Sequence, residues 1–180
     1  MEDGSLFRLK LKIMKKIFLL LFIGFAFSGC EKDDICDPNT PTTPRLIIEF
    51  YDDANPTVLK NVVNLKANAE GETDTLNVFN GVSKIALPLK TGTTDLVTKY
   101  SFVLNSGGTT ENKDFFEINY TGKNVYVSRA CGYKNVFTLR DTNPIIDSDN
   151  TIPDGKWIKG INIETNAIEN ENETHVKIYF

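Results

Sequence analysis

Four kinds of side chain in this 180-residue sequence could do chemistry: three cysteines, a single histidine, a loop of aspartates, and carboxylates set among strand-forming residues. Asp147, Asp149 and Asp154 space oxygen ligands along one polar segment, as a calcium-wrapping loop would. Such a loop in its best-known form also needs glycine at position six and glutamate at position twelve. Ile152 and Ile158 stand there instead, so a solvated loop is the simpler expectation. A catalytic zinc site draws on several His, Cys or carboxylate ligands. His175 is the only histidine, and Thr174 and Val176 beside it predict a structural place at the start of a strand. Glu49 and Glu117 are conceivable as a hydrolytic carboxylate pair, but outward positions on two strands explain both more simply. Arg129 and Lys134 flank Cys131 and Gly132 and could cradle an anion; pairing of Arg129 with a carboxylate, or exposure to solvent, is the plainer reading. No nucleophile elbow, zinc-protease helix or phosphate loop occurs. The expectation is a protein that is not an enzyme and holds no cofactor.

The elements that must position these groups begin with Met14–Cys30, MKKIFLLLFIGFAFSGC. Lys15 and Lys16 form a basic start, Ile17–Phe27 an apolar run of 11 residues, and Ser28 and Gly29 a small-residue approach to Cys30. A transmembrane helix needs about 20 apolar residues, so this run reads as a cleavable export signal covering residues 1–29. The segment resembles the lipobox of bacterial lipoproteins, with Phe27 where leucine is usual. That resemblance implies that the Cys30 thiol takes a diacylglycerol and becomes the first residue of the mature chain. Stable anchoring needs more than one acyl chain, each CH₂ adding roughly 0.8 kcal/mol. Met14-Lys15-Lys16 has the form of a translation start, which makes residues 1–13 an extension. Arg8, Lys10 and Lys12 would suit a long basic region if Met1 is the start.

Residues 30–44 read as the lipidated cysteine and a proline-rich tether, with Pro38, Pro41 and Pro44 among Asn and Thr. Lys32-Asp33-Asp34 resembles surface-export signals of Bacteroidota lipoproteins and serves equally as a hydrophilic spacer. The mature chain carries 15 Lys/Arg against 22 Asp/Glu. That balance speaks against nucleic acid and against whole-domain attraction to anionic lipid. With Cys30 acylated, Cys36 and Cys131 remain. An oxidising envelope permits a disulfide between them, worth at most about 4–5 kcal/mol in the chain-entropy account. Two thiols, with Cys131 a small buried strand residue, are the alternative.

From residue 45 to 180 the hydrophobic period is two, predicting about ten short strands, no helix, and an all-β, immunoglobulin-like sandwich. The predicted strands are Arg45–Tyr51, Val58–Lys66, Thr75–Phe79, Lys84–Leu89, Val97–Leu104, Phe115–Thr121, Val125–Ala130, Tyr133–Arg140, Lys156–Glu164 and Thr174–Phe180. Asn80-Gly81 predicts a hairpin turn, Thr121–Asn124 a second turn, and Asp141–Gly155 a polar loop. Trp157 is expected in the core.

Three stretches, CDPNTPTTPRLIIEFYD, YVSRACGYKNVFTL and HVKIYF, together resemble a family of small, mostly flavobacterial Bacteroidota lipoproteins of undefined function. The resemblance implies an envelope lipoprotein, at the outer membrane on its periplasmic face or at the cell surface, with Cys36 and Cys131 shared. It brings no catalytic residues. Asp74-Thr75-Leu76 matches the three-residue pattern of Bacteroidota O-glycosylation, with Thr75 the acceptor. The functional expectation is a membrane-anchored, non-catalytic binding or structural module whose partner is an envelope protein or glycan. A carboxylate-dependent envelope hydrolase is the alternative.

Overall fold

The computed structural model describes residues 14–18, 35–71 and 78–180. Most of the expected export signal, Cys30, Lys32–Asp34 and the expected Thr75 acceptor lie outside the described residues. The chain divides into two compact units. One holds the described residues up to Pro38 together with Arg129–Cys131; the other, Asn39–Ser128 with Gly132–Phe180, carries the β-structure.

Eleven strands are present among the described residues: β1 (Leu46–Tyr51), β2 (Leu65–Ala69), β3 (Val78–Phe79), β4 (Lys84–Leu87), β5 (Asp95–Leu104), β6 (Asn112–Ser128), β7 (Gly132–Leu139), β8 (Ile145–Asp149), β9 (Gly160–Ile163), β10 (Ala167–Ile168) and β11 (Val176–Tyr179). They form two sheets packed as an all-β sandwich. The smaller has the order β4-β1-β11-β9; the larger runs β10-β7-β6-β5-β2-β3, with β8 added beside β6. The pairing of β1 with β11 is parallel and brings the first and last strands together, Ile48 facing Val176 and Phe50 facing Ile178.

Alternation fills the space between the sheets. Leu46, Ile48 and Phe50 of β1 meet Phe102, Phe116 and Ile118 of the larger sheet in one buried cluster. Trp157 joins both layers as the sequence predicts. Its ring lies 6.4 Å from Phe50, 6.4 Å from Phe102 and 5.5 Å from Phe180, and its indole N–H donates to the Phe102 carbonyl at 3.2 Å. That bond satisfies the one polar atom the ring carries into the core.

Several local expectations are corrected. Val58–Lys66 is mostly irregular, strand starting only at Leu65; Leu59 and Val63 face solvent, and Val62 turns inward instead. Asn80-Gly81 does not close a hairpin. β3 belongs to the larger sheet and β4 to the smaller, so the chain crosses between layers there, Gly81 taking φ 68°. Thr121–Asn124 is no turn, because β6 runs straight through it for 17 residues. Gly122 permits this: a Cβ there would stand 2.0 Å from the Gly92 carbonyl oxygen, and only glycine lets the β4–β5 connection lie so close. The real turn comes at residues 129–131, with Gly132 at φ 70°. The expected Asp141–Gly155 loop contains β8, which pairs with Asp114–Ile118 of β6, an edge that would otherwise be bare. In the predicted Lys156–Glu164 strand only Gly160–Ile163 is extended, since Trp157 and Ile158 bend inward to reach the core.

Candidate binding surface

The larger sheet turns one face to the core and presents the other outward. On β5 that outer face shows Lys99 and Ser101; on β6, Lys113, Phe115 and Glu117; on β2, Asn68; on β8, Ile146 and Ser148. Together they line a groove of about 460 Å³. Lys99 Nζ sits 3.0 Å from Glu117 Oε2 across the β5–β6 pairing, where the two residues are register partners. Lys113 Nζ lies 5.0 Å from the centroid of the Phe115 ring. A second, more open depression of about 560 Å³ holds Asn119, Arg140 and Asn143, and it adjoins the groove through Glu117 and Ile146. Asn119 is braced there, its side-chain amide donating to Glu117 Oε1 at 3.2 Å and to the Asn143 carbonyl at 3.0 Å.

The electrostatics of this face are largely self-neutralised. The bond from Lys99 holds the Glu117 carboxyl below the usual glutamate range, outweighing its partial burial. Lys99 is raised by the same bond and by the charge of Glu70. Arg140 pairs with Asp95 at 3.0 Å. An ionised glutamate locked to a lysine is poorly placed to deliver a proton, so the surface is better suited to holding a polar ligand than to acid–base work. Phe115 beside Phe116 breaks the two-residue alternation of β6. That break is the sequence signal for an aromatic on the outward face.

The structure brings the two cysteines together and separates the two glutamates singled out from sequence. Cys36 and Cys131 form a disulfide, their Cα atoms 4.9 Å apart, within the usual span for such a bond. Glu49 lies in β1 of the smaller sheet and Glu117 in β6 of the larger, both on outward faces, so they do not converge. Lys84 Nζ lies 3.1 Å from Glu49, and the Tyr51 hydroxyl donates to it at 3.0 Å. Burial pushes Glu49 up, but bonds from Lys84, Thr174 and Tyr51 together hold it below the usual range. Asp147 is tied to Lys156. Asp149 accepts backbone N–H bonds from Asn150 and Gly155 at 2.7 and 3.0 Å. With Asp154 they build a braced loop. Among the described residues no group of three His, Cys, Asp or Glu side chains could hold a metal ion. Lys134 donates to the Glu169 carbonyl at 3.4 Å, and Arg129 is also engaged, so the two do not stand open as an anion cradle.

His175 is fully buried next to the start of β11. Its Nδ1 accepts the Ile47 N–H at 2.9 Å, while its own backbone N–H donates to the Ile47 carbonyl at 3.0 Å. The ring thus stands in for a backbone acceptor and extends the β1–β11 ladder by one bond. Asp114, also buried, accepts the Ile158 N–H at 2.9 Å and holds the Trp157 segment against β6. Burial pushes the Asp114 carboxyl up. Asp114 falls on the core face of β6, where an acid is unexpected, and no periodicity argument anticipates it.

Comparison with known proteins gives one result. No curated protein matches the sequence. No solved structure matches it either. A model for a family of unknown function, DUF6452, matches residues 61–180, which includes every groove residue, Cys131 and His175 but neither β1 nor Cys36. The chain belongs to that family.

Proposed function

We propose that this protein is an envelope lipoprotein, acylated at Cys30, whose sandwich is a non-catalytic binding module for a glycan of the cell envelope. The groove on the outer face of the larger sheet is the observation that carries the binding role. One aromatic ring, hydroxyls from Ser101 and Ser148, an amide from Asn68 and internally paired charges suit a neutral, hydroxyl-rich chain. The continuation into the Asn119–Arg140 depression suits an extended ligand rather than a compact one. The Cys36–Cys131 bond supports an envelope location, because structural disulfides persist in oxidising compartments. The hydrolase reading has no favouring geometry: the groove's acids are Glu70 and Glu117, and the latter is held ionised by Lys99.

Two experiments test this. Metabolic labelling with an alkynyl fatty acid should tag the wild-type protein and fail on Cys30→Ala, which should then fractionate as soluble. Calorimetric titration with soluble peptidoglycan fragments and with purified envelope polysaccharide should give heat from one of them, and Phe115→Ala should abolish it. A binding isotherm unchanged by Phe115→Ala refutes the groove.

A further inference from the structure

The β6–β7 hairpin outgrows its sheet. β5 accompanies β6 only as far as Thr121, and β10 accompanies β7 only at Phe137 and Thr138. From Gly122 to Val136 the two strands pair with each other alone, as a two-stranded arm. Its base is fixed. The Asn135 side chain donates to Asn124 Oδ1 at 2.6 Å and accepts the Gly92 N–H at 2.7 Å, and the Asn135 N–H donates to Thr43 Oγ1 at 2.9 Å. Beyond that base stand Tyr126 and Tyr133, register partners with rings 5.4 Å apart, exposed by 58% and 68%.

Two features of the arm depart from the rest of the chain. Residues 118–139 hold Lys123, Arg129 and Lys134 and no acid, within a mature chain where Asp and Glu outnumber Lys and Arg. And the arm's turn contains Cys131, which is bonded to Cys36. Cys36 follows Cys30 by only six positions, a reach of at most about 20 Å. Tyr133 follows Cys131 by two positions. Tyrosines favour the membrane–water boundary, where the ring meets the apolar layer and the hydroxyl stays wet, and the absence of acids in this segment of the sequence spares the arm repulsion from anionic headgroups.

We infer that the β6–β7 arm is the membrane-facing end of the molecule, with Tyr126 and Tyr133 seated end-on in the headgroup layer of the bilayer that holds the acyl chains. This rests on acylation at Cys30. The acyl chains supply the affinity; the arm sets orientation, and the sandwich stands away from the surface as a consequence. A cross-strand aromatic pair can also simply stabilise a hairpin, and the test must separate the two roles.

The acylated full-length protein is reconstituted into phosphatidylethanolamine–phosphatidylglycerol vesicles with or without dibrominated acyl chains, which quench tryptophan at short range. Three variants are compared: Tyr126→Trp, Tyr133→Trp, and Ile152→Trp, at an exposed position in the loop after β8. Far-ultraviolet circular dichroism confirms that each is folded. In brominated vesicles the two arm variants should lose most of the added emission, and Ile152→Trp and the wild type should keep theirs. Arm tryptophans quenched no more than Ile152→Trp overturn the inference. So do arm tryptophans that shift to the blue only when envelope protein is added, which would assign the arm to a protein partner. Intact mass on the same samples separates the premises: an unacylated Cys30 overturns the anchor and this inference together, whereas acylated protein with unquenched arm tryptophans overturns the inference alone.

Discussion

Lowering the pH through the histidine range should destabilise this fold through one ring. His175 Nδ1 accepts the Ile47 N–H, so that nitrogen must be bare and the neutral ring carries its proton on Nε2. Protonating Nδ1 would set two donors against each other inside the core. Burial lowers the His175 pKa; Glu173, the Asn170 carbonyl and Glu171 pull it upward, and Lys84 adds to the lowering. The native value therefore lies below the unfolded one. Stability from this group is complete above about pH 6.5 and falls as pH drops below it, because the unfolded chain takes up a proton that the native state refuses. The slope approaches about 1.4 kcal/mol per pH unit, and the loss between pH 7.5 and 5.5 is about 1.4 kcal/mol at most. Urea unfolding at these two pH values, for wild type, His175→Asn and His175→Phe, measures it. Asparagine can place its Oδ1 where Nδ1 was, keeping the Ile47 bond without a titrating proton. The wild-type advantage over His175→Asn should shrink on acidification, by no more than about 1.4 kcal/mol. Phenylalanine leaves the Ile47 N–H buried without a partner and should cost about 1–3 kcal/mol beyond lost packing, at either pH. The difference cancels the pH responses of Asp114, Glu49 and Glu117, which are common to both proteins. A wild-type to His175→Asn gap that is the same at both pH values refutes the reasoning.

Four further outcomes are expected. Gly122→Ala should destabilise by about 1–3 kcal/mol, since its methyl meets the Gly92 carbonyl, and amide exchange should rise first at Gly92 and Asn135. Cys36→Ser and Cys131→Ser should lower the melting temperature equally, the double variant should match either alone, and the loss should not exceed about 4–5 kcal/mol. The Tyr120 hydroxyl lies 2.6 Å from Thr98 Oγ1 and donates to the Lys90 carbonyl at 2.9 Å. Tyr120→Phe and Thr98→Val should each cost about 1–2 kcal/mol in denaturant unfolding, and a double-mutant cycle should show them coupled. A fragment of residues 61–180, the span matched by the family, should fail to give a cooperative melt, whereas 36–180 should give one.

The sandwich was legible because its strands alternate. β5 and the last strand were placed from Tyr100, Phe102, Val176 and Ile178, all of which fall on the core face. The misreadings share a cause: local chemistry was taken at face value where a distant element decides. Asn80-Gly81 and Thr121–Asn124 both carry turn residues. One crosses between layers and the other runs straight, because what lies beside Gly122 is the Gly92 carbonyl. β8 was hidden by its polar composition, which a strand added at an edge tolerates. Of the candidate site, the cysteines were readable from their count. The groove was not, since it assembles from β2, β5, β6 and β8, and the pairing order of strands has no signature in a single sequence.

That dependence on distant pairing also separates the matched span from the folding unit. The matched span starts at Asn61, after β1. Yet β1 lies between β4 and β11, and its Leu46, Ile48 and Phe50 have no exposure at all. Burying three such side chains contributes roughly 5–9 kcal/mol, as much as the whole net stability of many domains. Without β1, β4 loses its strand partner, β11 keeps only β9, His175 loses Ile47, and the core opens. The folding unit therefore reaches back at least to Arg45, beyond the matched span. Arg45 itself is fixed by Glu171, with bonds at 2.8 and 2.6 Å to its two carboxylate oxygens. Thr43 is fixed on the Asn135 N–H of β7. The strand that closes the core is thus held in place from Thr43 onward.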